Sequence, residues 1–220
     1  MKTKLFLFVF LAAFIGGYAV AQTDVTETYL VNAGFDDSSN FTQENKITTD
    51  LGNAQSDIVG WNVENLGAWA VGYVFEFGSP YTFNNATIPA TDRNGEAAGG
   101  VLAISAGWGS TLSFSQAVTL QEGKYRLATN TYNVGTSTES TSVVGWLPDG
   151  GAPTLSGKSS FAVGVWEEEH VDFFVSGETS GKIQVGFKSR DGTTSGSNPK
   201  LVYDDVILYK LPFPAELIQA

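Results

Sequence analysis

From Thr28 onward, β-branched and aromatic residues alternate with small polar ones, and glycine-containing turns break the pattern. A period of two is the signature of strands that bury one face. It predicts strands near 28–35, 58–64, 68–77, 100–106, 110–120, 124–134, 140–147, 160–165, 169–176, 181–190 and 200–210. Many short strands without intervening helices predict an all-β fold, an antiparallel β-sandwich of the jelly-roll kind. The alternation also assigns faces. Leu112, Phe114, Val118 and Leu120 share a parity and should face the core, with Gln116 among them. Tyr125 and Leu127 point inward, and Arg126, Ala128, Asn130 and Tyr132 point the other way. Val171, Phe173, Val175, Ile183, Val185 and Phe187 are inward, as are Val202, Val206 and Leu208, with Asp204 sharing the parity of these last three. Trp69, Tyr73, Phe75 and Phe77 share one parity, and most of them read as packing residues.

The first 21 residues do not follow this pattern. Lys2 and Lys4 precede an almost unbroken apolar run from Leu5 to Ile15, and Ala19-Val20-Ala21 supplies a small-x-small cleavage signal. This predicts a signal peptide over 1–21 and a secreted or periplasmic protein. A spanning helix needs about 20 apolar residues, and Gly16-Gly17-Tyr18 interrupts the run too early. A single β-sandwich binding domain is expected over 22–210, with a tail or the start of a linker over 211–220. The chain has no cysteine, which excludes a disulfide framework and a cysteine-borne lipid anchor, so the fold must stand on its core. Removing Lys2 and Lys4 takes the formal net charge from −11 to −13. Such a chain repels nucleic acid and anionic lipid, and suits a neutral ligand or a cation. Long polar connections near 36–57, 78–99 and 135–159 are places where function can reside.

The mature chain opens on Tyr29-Leu30-Val31-Asn32-Ala33-Gly34-Phe35-Asp36 followed by Gly60-Trp61. Its middle carries Ser115-Gln116-Ala117-Val118-Thr119-Leu120 with Gly123-Lys124-Tyr125. Trp166 ahead of Val171-Asp172-Phe173, then Tyr203-Asp204-Asp205-Val206-Ile207-Leu208, completes the series. In this order the motifs resemble the entry pattern, middle hairpin and closing strand of secreted galactose-binding-like modules. The resemblance implies a jelly roll that commonly binds carbohydrate, often beside a glycoside-degrading catalytic domain, and frequently carries a structural calcium ion. It also implies that Trp61 and Trp166 are core residues. The insertions at 36–57 and 135–159 depart from compact members of the family.

Candidate chemistry is sparse. His170 is the only histidine and follows Glu167-Glu168-Glu169 on a strand, facing away from the core. That excludes a histidine-rich zinc site and disfavours a Ser-His-Asp triad. Glu64, Glu76 and Glu96 are the carboxylates from which a glycosidase pair would have to be drawn. Asp36 and Asp37 close the first strand and Asp204-Asp205 lie in the last, so Asp36 and Asp204 are the candidate ligands of a structural Ca2+. An inward Asp204 would be costly unless paired or bound to metal. For sugar, flat rings beside amide and guanidinium donors are needed. Tyr132, Asn130 and Arg126 are assigned to one outward face, with Trp108 and Trp146 flanking it. These residues point to a non-catalytic carbohydrate-binding module accessory to polysaccharide degradation. A protein-binding domain and a glycoside-cleaving enzyme are the alternatives.

Overall fold

The computed structural model describes residues 22–36, 47–48, 58–78, 82–83, 85–190 and 199–212. The signal-peptide segment, Asp37, most of the 36–57 connection and the end of the tail lie outside these residues. Fifteen strands and one short helix make up the described chain. In order they are β1 (Thr23–Asp24), α1 (Thr26–Tyr29), β2 (Ile47–Thr48), β3 (Asn62–Leu66), β4 (Ala70–Glu76), β5 (Thr82–Phe83), β6 (Ala86–Thr87) and β7 (Gly100–Ala106). There follow β8 (Thr111–Leu120), β9 (Gly123–Asn133), β10 (Ser140–Ser142), β11 (Gly145–Pro148), β12 (Thr154–Leu155), β13 (Trp166–Val175), β14 (Thr179–Ser189) and β15 (Lys200–Leu211).

They form two facing antiparallel sheets. Sheet I runs β13-β9-β15-β7-β4-β2, with β1 alongside the C-terminal half of β15. Sheet II runs β12-β11-β14-β8-β3, with β10 also on β14. Alternation on the long strands explains the core between them. Leu112, Phe114, Leu120, Tyr125, Leu127, Ile183, Val185 and Phe187 are all buried there. Gln116 is buried among them because it replaces a strand partner. Its amide accepts from the Val31 N–H and donates to the Val31 carbonyl, tying the N-terminal segment to sheet II. Trp61 is buried against Phe35, with its indole N–H donated to the Asn32 carbonyl.

Three parts of the pattern fold otherwise than the alternation predicts. The segment 28–35 is not a strand. Thr26–Tyr29 make a helical turn, and Asn32 and Phe35 adopt left-handed backbone at φ 50° and 59°. The 160–165 segment makes only isolated bridges, at Ser160 and Val163.

The third departure matters most. On β15, Asp204 pairs with Asn130 but Ile207 pairs with Ala128, so one extra residue sits on β15. This β-bulge, with Asp205 at φ 50°, reverses the parity of the strand. Leu201 and Tyr203 therefore share the inner face with Val206 and Leu208. Val202, expected inward, instead lies in a second core on the outer side of sheet I. Asp204 likewise leaves the sandwich interior.

That second core is built by the chain between β4 and β7. The β5–β6 hairpin folds over the outer face of sheet I, where Phe83, Ala86 and Ile88 bury against Phe75, Phe77, Val101, Ala103 and Val202. Strands β4 and β7 are consequently covered on both faces.

Candidate functional site

The bulge places an acidic cluster at the edge of this second core. Carboxylate oxygens of Asp92, Asp204 and Asp205 lie within 4.8 Å of one another. Asp92 is presented by a tight turn in which its Oδ1 accepts the N–H groups of Asn94 (2.8 Å) and Glu96 (2.7 Å). The Asp204 Oδ1 accepts the Asp205 N–H at 2.8 Å. Asp36 approaches from the N-terminal segment, its Oδ1 accepting the Gly100 N–H at 2.8 Å. A Cβ at Gly34 or Gly99 would lie 2.6 Å from an Asp36 carboxylate oxygen, so a larger residue at either position would push that carboxylate aside.

Burial pushes the Asp204 acid up to about 8, and the negative charges of Asp205, Asp36 and Asp92 add to the effect. Asp205 is raised for the same reasons, burial first. Oxygen ligands only, clustered negative charge and left-handed backbone at Phe35 and Asp205 fit a hard divalent cation such as calcium, which takes roughly six to eight oxygens. Of the two residues proposed from the sequence, Asp36 acts on Asp204 through its charge, while Asp92 and Asp205 are the carboxylates that lie beside Asp204. Asp92 was not anticipated, although Asp92-Arg93-Asn94-Gly95-Glu96 reads in hindsight as a carboxylate-capped turn.

The five residues assigned to a sugar face do not come together. Trp146 is buried in the main core at 3 % exposure. Its position opposite Ile183 on β14 turns the indole inward, where it stacks on Phe173 of sheet I at 5.6 Å and 13°. Tyr132 does face away from the sandwich interior, but the second core covers that face, and its ring packs edge-on against Trp166 at 5.2 Å. Arg126 is engaged by Asp172 through two bonds of 2.6 and 3.1 Å. Asn130 is nearly buried, accepting from Arg93 at 3.1 Å and donating to Asp205 at 3.2 Å. It forms part of a polar cleft of about 330 Å³ with Arg93, Glu168, Asp205 and Tyr209.

Trp108 alone of the five is freely presented, at 52 % exposure, and it has an unexpected neighbour. Trp69, grouped by parity with packing residues, is 66 % exposed. It precedes β4 instead of belonging to it, so the strand's alternation does not reach it. The two tryptophans stand on adjoining turns joined by hydrogen bonds. The Gly107 N–H donates to the Trp69 carbonyl (3.0 Å), and the Trp69 N–H donates to the Ser110 hydroxyl (3.1 Å). Residues on both sides of Trp108-Gly109 therefore grip Trp69. Trp108 has φ 55°, a conformation costly for a bulky side chain. The Gly109 N–H, donated to the Arg190 carbonyl at 3.2 Å, anchors the turn to the end of β14.

Of the glutamates considered for glycoside cleavage, Glu64 is bound by Lys182 (3.0 and 2.8 Å) and by the Ser115 hydroxyl. Burial raises its acid, but these partners outweigh that and hold it below the usual carboxylate range. Glu76 and Glu96 are exposed.

No protein-family profile matches the chain, and no curated protein matches it. Solved structures do. A cyclase from Fischerella sp. TAU superposes with a TM-score of 0.51 at 14% identity, covering 87% of this chain and 98% of the other. The fold is an antiparallel β-sandwich of the jelly-roll kind. TmCBM61, solved in complex with β-1,4-galactotriose, has a TM-score of 0.47 at 15% identity over 78% of this chain and 99% of that one. The enzymatically active domain of bacteriophage CBA120 tailspike protein 4 has a TM-score of 0.45 at 13% identity. The match covers 78% of this chain and about a fifth of the tailspike, 21%. At 14% identity the likeness to the cyclase is one of fold alone, and activity has to be argued from the site.

Proposed function

We propose that this chain is an exported, non-catalytic carbohydrate-binding module that acts on glycans beside a polysaccharide-degrading enzyme. The observation that carries the reading is the pair Trp69 and Trp108. Two of the five tryptophans of a 220-residue chain stand in solvent on turns that are hydrogen-bonded to each other, one of them in strained backbone. Exposed indoles gain nothing for the fold, whereas the flat C–H faces of sugar rings stack on them. The net negative charge suits a neutral glycan, and binding then depends little on salt. Export rests on the N-terminal signal pattern. The non-catalytic part is supported by Glu64, which is ion-paired and so poorly suited to deliver a proton.

The same reading gives the acidic cluster a structural calcium. Asp36, Asp92, Asp204 and Asp205 would hold it, joining the N-terminal segment, the 85–99 connection and the β15 bulge. The ion supplies positive charge to carboxylates that otherwise repel one another.

A glycan array probed with residues 22–220 tests the proposal. Binding to a family of neutral glycans, lost in the Trp69→Ala/Trp108→Ala double variant, supports it. Equal binding by the double variant removes the platform, and an array with no bound glycan removes the carbohydrate reading.

A further inference from the structure

The seam between the sheets holds a buried acid that lies outside the proposed glycan platform and the acidic cluster. Glu169 lies on β13, the edge strand of sheet I, and is 2 % exposed. Neither of its carboxylate oxygens has a hydrogen-bond partner among the described residues, and the hydroxyls of Tyr203 and Ser140 are buried and unpartnered as well. Buried polar atoms without partners are rare in native proteins and call for an explanation.

The surroundings of Glu169 are specific. From sheet II and its extension come the Ser142 hydroxyl on β10 and, beyond β12, the Ser156 hydroxyl and the Lys158 ammonium. Glu167 comes from its own strand, and Tyr203 from β15. The one cation in this set is already engaged. Lys158 Nζ sits 3.3 Å from Glu167 Oε2 and 4.7 Å above the Phe161 ring. Burial raises the Glu169 acid above its ordinary value, the two serines and Lys158 offset this in part, and Glu167 adds to it.

The segment that covers Glu169 is a unit. It is closed by the Phe161 N–H on the Thr138 carbonyl (2.9 Å) and the Ser142 N–H on the Lys158 carbonyl (2.8 Å). It is built onto sheet II through β10 and β11 on β14, and it meets sheet I at Glu167 and Glu169.

We propose that Glu169 is a proton-operated latch on this seam. As a neutral acid it lets segment 138–161 close over β13, and loss of its proton drives the segment open. A neutral carboxyl can donate its O–H to one of the Ser142 and Ser156 oxygens and accept from the other hydroxyl, satisfying its own two oxygens. An ionised carboxylate there is a buried charge that has only the two serine hydroxyls and a Lys158 shared with Glu167 to offset its burial, which outweighs them, and opening the segment hydrates it. The sign follows from linkage. The closed form holds the proton more tightly than the open form, so closure is fully favoured below the acid's solvent-exposed range and weakens as pH rises through its buried range.

Hydrogen exchange over residues 138–161 reads this directly, with Glu169→Gln measured in parallel at each pH to cancel the chemistry of exchange itself. Between about pH 5 and about pH 9, opening of the wild-type segment should rise about tenfold or more relative to the glutamine variant, one decade per unit of acid displacement. Local exchange separates the effect from Asp204, which titrates on the other face of sheet I. A His170→Asn variant, expected to retain the wild-type profile, controls for the neighbouring imidazole. Parallel profiles for wild type and Glu169→Gln overturn the latch. So does loss of the effect in His170→Asn. Should the glutamine variant fail to fold, infrared spectra of wild-type protein labelled with carbon-13 glutamate carry the test. A protonated carboxyl band that outlasts those of the exposed glutamates supports the latch, and its disappearance together with them overturns it.

Discussion

At the residue scale, the account turns on which aromatic side chains are wet. Trp146 and Tyr132 face packed surfaces, and Trp69 and Trp108 face solvent. Trp69→Ala and Trp108→Ala should each weaken glycan binding about tenfold, which is about 1.4 kcal/mol. Their effect on stability should stay within about 0.5 kcal/mol, as for exposed positions generally. Trp146→Ala should do the opposite, destabilising the domain by about 3–5 kcal/mol through the cavity it leaves beside Phe173. Calorimetry and denaturant melts on the three variants separate the roles. A stable Trp146→Ala protein that fails to bind glycan would restore the face read from the sequence. The sequence could not have ranked these tryptophans, because period-two parity says which side of a strand a residue takes and nothing about what covers that side. Nor does it apply to residues such as Trp69 and Trp108, which sit in turns.

At the element scale, the long strands were legible and the short ones were not. β8, β9, β13 and β14 carry enough alternating residues to fix their approximate extent and inner face, and on β15 the alternation does so only beyond the bulge. Two-residue strands such as β1, β5, β6 and β12 exist only because neighbouring chain pairs with them, and that is non-local information. The bulge on β15 is the instructive case. Asp204 was expected to face the interior, but the extra residue at Asp205 moves it to the outer face, beside Asp92 and Asp205. The connection near 78–99, polar enough to read as a functional loop, supplies Phe83 and Ile88 to the second core and Asp92 to the acidic cluster. Phe83, with no exposure, should behave as a core residue. Phe83→Ala is expected to cost about 3–5 kcal/mol, measured as a shift of the denaturation midpoint. A shift of less than about 0.5 kcal/mol would show the hairpin to be a loosely held flap.

At the scale of the whole molecule, the acidic cluster couples three distant stretches of chain, so its ionisation should be visible in global stability. Without metal, Asp204 titrates near 8 in the folded state because of burial and its carboxylate neighbours. The folded state then binds more protons than the unfolded one between the ordinary aspartate range and about 8. Stability must fall as pH rises through that window and level off above it. In chelator the melting temperature should therefore drop from about pH 5 to about pH 9. Saturating calcium should raise it most at the alkaline end, by mass action on the folded state. Asp204→Asn should flatten the slope. A calcium-independent melt across the window would contradict the metal site.

The central claim is glycan binding by the Trp69–Trp108 platform. Isothermal titration calorimetry with a neutral oligosaccharide drawn from the array hits tests it most directly, on wild type and on the Trp69→Ala/Trp108→Ala variant at two salt concentrations. The account predicts saturable binding to the wild type with little salt dependence, and heat at the level of dilution for a double variant that melts as the wild type does. Undiminished binding by a folded double variant would contradict it.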